Sequence, residues 1–211
     1  PAALAKNGIY RQQGERITPT FNLQYQIVPS VLLSTFDVEF DINNTQSHTF
    51  LPEDATGRPA TESVVNTPTN SDGDVIDVYT KTNFIYTPKK NDDNHTLQAL
   101  MSIQTEDRKD FAYNAQTSNT ASPYLQYSFN PSRADNSSAK LSSTRDETRS
   151  IGVLLQGQYD WLNKYMINAG VRGDGNSRFG PDYRYGLFPS ASVRWRISGE
   201  NFMKQFDDFV N

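Results

Sequence analysis

The chain has 211 residues, 36% hydrophobic and 12% aromatic, with a net charge of −4, no cysteine and a mean hydropathy of −0.68. The acidic balance leaves no basic field for nucleic acid, and the missing thiols exclude disulfides and thiolate metal centres. This composition is poor for a helical globule and too aromatic for a disordered chain.

No apolar run approaches the ~20 residues of a membrane-crossing helix, and the N-terminus "PAALAKNGIYRQQGER" lacks the pattern of a signal peptide. The clearest signal is a period of two. Ile17, Pro19, Phe21, Leu23, Tyr25 and Ile27 alternate with Thr18, Thr20, Asn22, Gln24 and Gln26, which predicts a first strand. "VPS" then turns the chain. A second strand sets Leu32, Phe36, Val38, Phe40 and Ile42 against Thr35, Asp37, Glu39 and Asp41. The third, about 76–87, alternates less cleanly because Tyr79 and Ile85 fall among polar positions.

A fourth strand, about 95–105, places Leu97, Ala99, Met101 and Ile103 opposite Gln98, Ser102 and Gln104. The fifth, about 150–161, opposes Ile151, Val153, Leu155, Tyr159 and Trp161 to Gln156, Gln158 and Asp160. The sixth, about 164–172, carries Tyr165, Ile167, Ala169 and Val171 on one face. The seventh carries Tyr185, Leu187, Pro189, Ala191, Val193, Trp195 and Ile197 against Gly186, Phe188, Ser190, Ser192, Arg194 and Arg196. Each run is about 9–13 residues long, enough to cross a bilayer at a tilt.

Short connections ("PS", "PKKNDDN", "LNK") alternate with long polar ones at about 43–75, 106–148 and 173–184. Short turns at one end and long loops at the other are the pattern of an outer-membrane barrel; a β-sandwich is the competing architecture. In the barrel the apolar faces meet lipid, Arg194 and Arg196 face a water-filled lumen, and Tyr159, Trp161, Tyr165, Tyr185 and Trp195 form aromatic girdles.

Chemistry is sparse. "SDGDVID" and "KKNDDN" do not complete a calcium loop, "GDGNSRFG" does not open a helix as a phosphate loop does, and His48 and His95 read as surface residues rather than metal ligands. No nucleophile setting is recognisable, so no catalytic, metal or cofactor site is expected. Within "GDGNSRFG", Gly173, Gly175 and Gly180 are candidates for positive φ or tight packing. Asp174 and Arg178 are candidates for a loop-holding pair.

The segment "NAGVRGDGNSRFGPDYRYGLFPSASVRWRISGENFMK" resembles the signature of the SusC/RagA family of TonB-dependent outer-membrane transporters. The matching positions are Asp174, Gly175, Ser177, Arg178, Phe179, Gly180, Arg184, Tyr185, Gly186, Phe188, Pro189, Ser190 and Ser192, followed by Trp195, Arg196, Ile197, Ser198, Glu200, Phe202 and Met203. Gly173 departs from the charged or small residue expected before the aspartate. "TNFIYTPKKNDDNHTLQALMSIQTEDRKDF" is similar, more loosely, to the preceding hairpin.

The resemblance implies an all-β, antiparallel, up-and-down transmembrane barrel of about 22 strands, of which this chain supplies about seven without the plug domain. It further implies import of oligosaccharides or peptides across the outer membrane, a SusD-like lipoprotein partner, and energy delivered through TonB. Cargo-binding residues are not identified. The alternative is a soluble or surface-attached β-protein that binds glycans.

Overall fold

The computed structural model describes residues 8–59, 61–62, 64–89, 94–132 and 139–203. It is almost entirely β: β1 (Ile9–Ile17), β2 (Thr20–Val28), β3 (Leu32–Leu51), β4 (Thr67–Tyr86), β5 (His95–Gln116), β6 (Lys140–Trp161), β7 (Tyr165–Asn176) and β8 (Tyr185–Trp195). One helical turn, α1 (Glu53–Thr56), and a 3-10 turn at Ile197–Gly199 complete it.

The strands form one sheet in the order β1-β3-β4-β5-β6-β7-β8, with β2 also paired to β3. β1 and β2 occupy a single sheet position. Ile17 faces Ile42 and Thr20 faces Glu39, both in antiparallel register, and stepping one residue at a time carries the first pair into the second. The interruption falls at Pro19, whose nitrogen has no hydrogen for the ladder. Eight strands therefore fill seven positions, and the all-β, up-and-down arrangement implied by the family resemblance is the one observed.

The strand boundaries differ from expectation. β3, β4, β5 and β6 are 20, 20, 22 and 22 residues long, and their ends run far into the segments read as loops. The connection expected at 43–75 narrows to 52–66, that at 106–148 to 117–139, and that at 173–184 to 177–184. The added lengths, such as "NNTQSHT" and "TEDRKD", are polar on both faces. Alternation is visible only where one face is apolar, so these residues give no period although their backbones stay in strand.

Two compact units divide the chain. One comprises Pro1–Thr18, Phe40–Asp77 and Arg108–Glu147; the other comprises Pro19–Glu39, Val78–Asp107 and Thr148–Asn211. In the first, Phe50, Val65, Asn66, Asn119 and Thr120 are buried where the β3–β4 and β5–β6 connections meet.

The second unit has two chemically distinct faces. Across β6, β7 and β8, one face carries the rows Trp161–Tyr165–Trp195, Tyr159–Ile167–Val193, Gly157–Ala169–Ala191 and Leu155–Val171–Pro189. The opposite face carries Gln158–Asn168–Ser192 and Gln156–Gly170–Ser190, interrupted by Leu154–Arg172–Phe188. β2 and β3 repeat the division, with Phe21 on Val38 and Leu23 on Phe36, against Asn22 on Asp37 and Gln24 on Thr35. Among the described residues nothing covers the apolar face: Phe21 is 63% exposed, Leu187 72% and Val193 76%. A sandwich core would bury these side chains, each worth about 1.5–3 kcal/mol.

Candidate functional site

The polar face of the second unit is a wall of paired side chains. Arg172 Nε donates to both carboxylate oxygens of Asp174, at 2.9 and 2.8 Å, and Arg172 Nη2 donates to Gln104 Oε1 at 3.3 Å. Ser150 donates to Glu106 at 3.1 Å, and Asn83 Nδ2 to Thr35 at 2.9 Å. Gly152 makes room for the ion pair, since a Cβ there would lie 2.8 Å from Asp174 Oδ1 and 2.9 Å from Arg172 Nη2. In the first unit, Arg16 grips Asp41 through two contacts of 2.7 Å, and Arg108 lies 2.9 Å from Asp110 and 3.9 Å from Asp77. Exposed pairs of this kind contribute little stability individually.

The motif residues build one hairpin. Asp174 and Gly175 belong to β7, and the chain turns only after Asn176. Ser177 clamps the turn to β6: its Oγ accepts the Arg149 N–H and its N–H donates to the Arg149 carbonyl, both at 2.9 Å. Asn176 Oδ1 accepts the Arg178 N–H at 2.9 Å, and the Asn176 carbonyl accepts the Phe179 N–H at 3.3 Å. The Gly180 carbonyl accepts the Tyr183 N–H at 2.9 Å, and the Arg184 carbonyl closes the ladder onto the Asn176 N–H at 3.1 Å. Gly175 and Gly186 lie under the rings of Tyr185 and Phe188, where a Cβ would come within 2.7 and 2.9 Å. Pro189 faces Val171 on the apolar side, and Ser190 Oγ reaches the Gly170 carbonyl at 3.5 Å on the other. The Arg196 N–H donates to the Lys164 carbonyl at 2.7 Å.

Two expectations about this segment are corrected. Gly173, Gly175 and Gly180 are not in the positive-φ region; Gly57 is the glycine that is, among the described residues. Tight packing explains Gly175, whereas a Cβ on Gly180 would meet nothing within 4 Å. Asp174 pairs with Arg172, two residues away on the same strand face, because the segment is strand where a turn was expected.

A motif residue with no role expected from the sequence, Glu200, organises the short-turn end. Glu200 Oε1 accepts from the Tyr165 hydroxyl and, at 3.1 Å, from Trp195 Nε1, while Lys164 Nζ lies 3.3 Å from Oε2. The Tyr165 and Trp195 donors, with Lys164 beside them, hold the Glu200 carboxyl below its ordinary value. Trp161 packs on Tyr165 with ring centres 5.4 Å apart, and Phe202 meets Trp195 edge-on at 6.5 Å. Tyr159 bonds His95 through its hydroxyl, so His95 is tied to a girdle aromatic distant in sequence.

In the first unit, buried Asn66 joins two connections. Its Oδ1 accepts the Glu53 N–H at 3.0 Å, and its Nδ2 donates to Glu53 Oε2 at 3.1 Å and to the Thr120 carbonyl at 3.4 Å. Beside it lies an open depression of about 640 Å³ bordered by Phe50, Leu51, Thr67, Thr69, Gln116 and Lys140. Among the described residues no group of three His, Asp or Glu side chains is placed to hold a metal. Acidic "KKNDDN" lies largely outside the described residues.

Residues 4–206 match the family model described as TonB dependent receptor-like, beta-barrel. A TonB-dependent receptor of Formosa agariphila is 33% identical over 136 residues, which is 61% of this chain and 12% of the relative. The TonB-dependent receptor SusC of Bacteroides thetaiotaomicron is 48% identical over 46 residues, 22% of this chain and 5% of that protein. These relatives are receptors rather than enzymes. Among solved structures, the RagAB peptide transporter superposes with a TM-score of 0.78 at 19% identity, over 95% of this chain and 22% of its own. The chain therefore spans a small fraction of the length of the proteins it matches.

Proposed function

The chain belongs to the TonB-dependent receptor-like β-barrel family, and from that premise we propose that it forms part of the wall of an outer-membrane importer of large nutrients. The carrying observation is the two-faced sheet of β6, β7 and β8, apolar and uncovered on one side and polar on the other. Tyr185 and Trp195 bracket the apolar run of β8. The ten steps between them span about 33 Å of strand, or about 23 Å of height at a 45° tilt, close to the ~25 Å apolar band of such barrels.

On this reading the polar face lines the passage. Its ion pairs and amides keep the wall hydrated, so hydrophilic cargo meets water rather than an adhesive surface. The cargo is oligosaccharide or peptide. The SusC relative and the RagAB neighbour support a SusD-like lipoprotein as partner and TonB as energy source.

The test is uptake by cells that carry or lack the full-length protein, using fluorescent oligosaccharides and peptides, with and without TonB. Uptake that requires both proteins supports the proposal. Uptake of every probe that is indifferent to both overturns it.

A further inference from the structure

We propose that the β5–β6 connection carries a stacking site for neutral saccharide rings, built on Tyr127 and Phe129. The inference rests on the importer reading and narrows it to one chemical class of ligand. Three rings form a column: His48 lies 5.0 Å from Tyr127 at an interplanar angle of 19°, and Tyr127 lies 5.4 Å from Phe129 at 15°. The column ends in the open, because Phe129 is 81% exposed and Tyr127 51%. Tyr124, in the same connection, is 89% exposed.

The platform is held rather than loose. The Asn130 N–H donates to the Tyr127 carbonyl at 3.0 Å, closing a turn that sets the two rings side by side. Between them, Ser128 donates through its N–H and its hydroxyl to Asn70 Oδ1 on β4, at 3.2 and 2.9 Å. Thr117 donates to the Ser128 carbonyl, and Asn70 Nδ2 contacts His48 Nδ1 at 3.1 Å, which ties the base of the column to the same anchor. A ring face fixed before binding does not lose that freedom on binding.

Residue chemistry selects the ligand. From Phe111 to Ser132 the chain has five aromatic rings and no Asp, Glu, Lys or Arg. Its polar groups are amides and hydroxyls, which match neutral hydroxyls as donors and acceptors alike. The C–H face of a pyranose is apolar and slightly electropositive, and it complements the negative face of an aromatic ring. A peptide with ionised termini finds no charged partner in this segment, whereas a neutral sugar needs none.

The experiment uses the full-length protein purified in detergent, with maltohexaose, cellohexaose, xylohexaose and mannohexaose as probes and hexa-alanine as contrast, read by titration calorimetry. At least one saccharide is expected to bind and to weaken about tenfold or more in Phe129→Ala. Phe129→Leu, which keeps apolar bulk without a flat face, should weaken binding similarly, and Phe129→Tyr should retain it. Heat-modifiable gel mobility checks that each variant is folded. The proposal is overturned if none of the four saccharides binds, if both Phe129→Ala and Phe129→Leu bind as the parent does, or if hexa-alanine alone shows the dependence. Uptake that persists unchanged in Phe129→Ala defeats the platform alone, while uptake independent of the whole protein defeats the importer reading.

Discussion

The ring of Tyr185 lies over the bare backbone of Gly175, its partner across β7 and β8, so closely that a Cβ on Gly175 would sit 2.7 Å from the ring and 3.2 Å from Ile151 Cγ2. An aromatic ring covering a cross-strand glycine shields a backbone that glycine leaves exposed and pins the register of the pair. Gly175→Val should overpack this site and cost about 1–3 kcal/mol of barrel stability. Tyr185→Ala in the same molecule should return part of the loss, since the clash is with that ring. Heat-modifiable mobility and unfolding from lipid report both effects; additive losses would show that the ring and the glycine act independently.

Glu200 gives a pH dependence whose sign is set by its partners. Tyr165 and Trp195 donate to its carboxylate and Lys164 lies beside it, so its folded value lies below the ordinary 4.5. A depressed carboxyl contributes stability that is complete above the unfolded value and is lost as pH falls through the folded one. The full-length protein should therefore exceed Glu200→Gln in stability at neutral pH, and the difference should shrink below about pH 4.5. A difference that stays constant down through that range would show that the carboxylate charge is irrelevant to the girdle.

How much of this was legible in the sequence depends on what each residue faces. β8 declares itself, because Leu187, Ala191 and Val193 share an apolar face while Ser190, Ser192 and Arg194 share a polar one. β1 does not: "RQQGE" is polar on both sides, and the unalternating Asn43–His48 hides the far half of β3 in the same way. The Arg172–Asp174 pair was hidden by a boundary, since two residues apart means one face in a strand but not in a turn. The Asn66 hub had no local signal. Its partners Glu53 and Thr120 lie 13 and 54 residues away, and only tertiary contact joins them.

On the proposed reading, the alternation of short and long connections would sort the two ends of the strands to opposite sides of the membrane. The sequence has no cysteine, so single substitutions give clean probes. Ser118 and Ser137 suit this purpose by sequence, but Ser118 is half-buried and Ser137 lies outside the described residues. Tyr124→Cys, in the β5–β6 connection, should react with a membrane-impermeant thiol reagent on intact cells. Pro29→Cys, in the β2–β3 turn, should react only after the outer membrane is broken. The reverse pattern would invert the topology.

The central claim is that the apolar face of this sheet meets lipid and the polar face meets water. Ala191 and Ser192 are adjacent on β8 and face Ala169 and Asn168 of β7, so they lie on opposite sides of the same sheet. A single residue type placed at each position separates the two environments while β-propensity largely cancels. The decisive measurement is the unfolding free energy, from lipid, of full-length Ala191→Arg and Ser192→Arg. Arginine at Ala191 is expected to cost about 2–4 kcal/mol if the site lies near the bilayer midplane, and arginine at Ser192 little. Equal penalties, or a larger one at Ser192, would contradict the assignment of the faces.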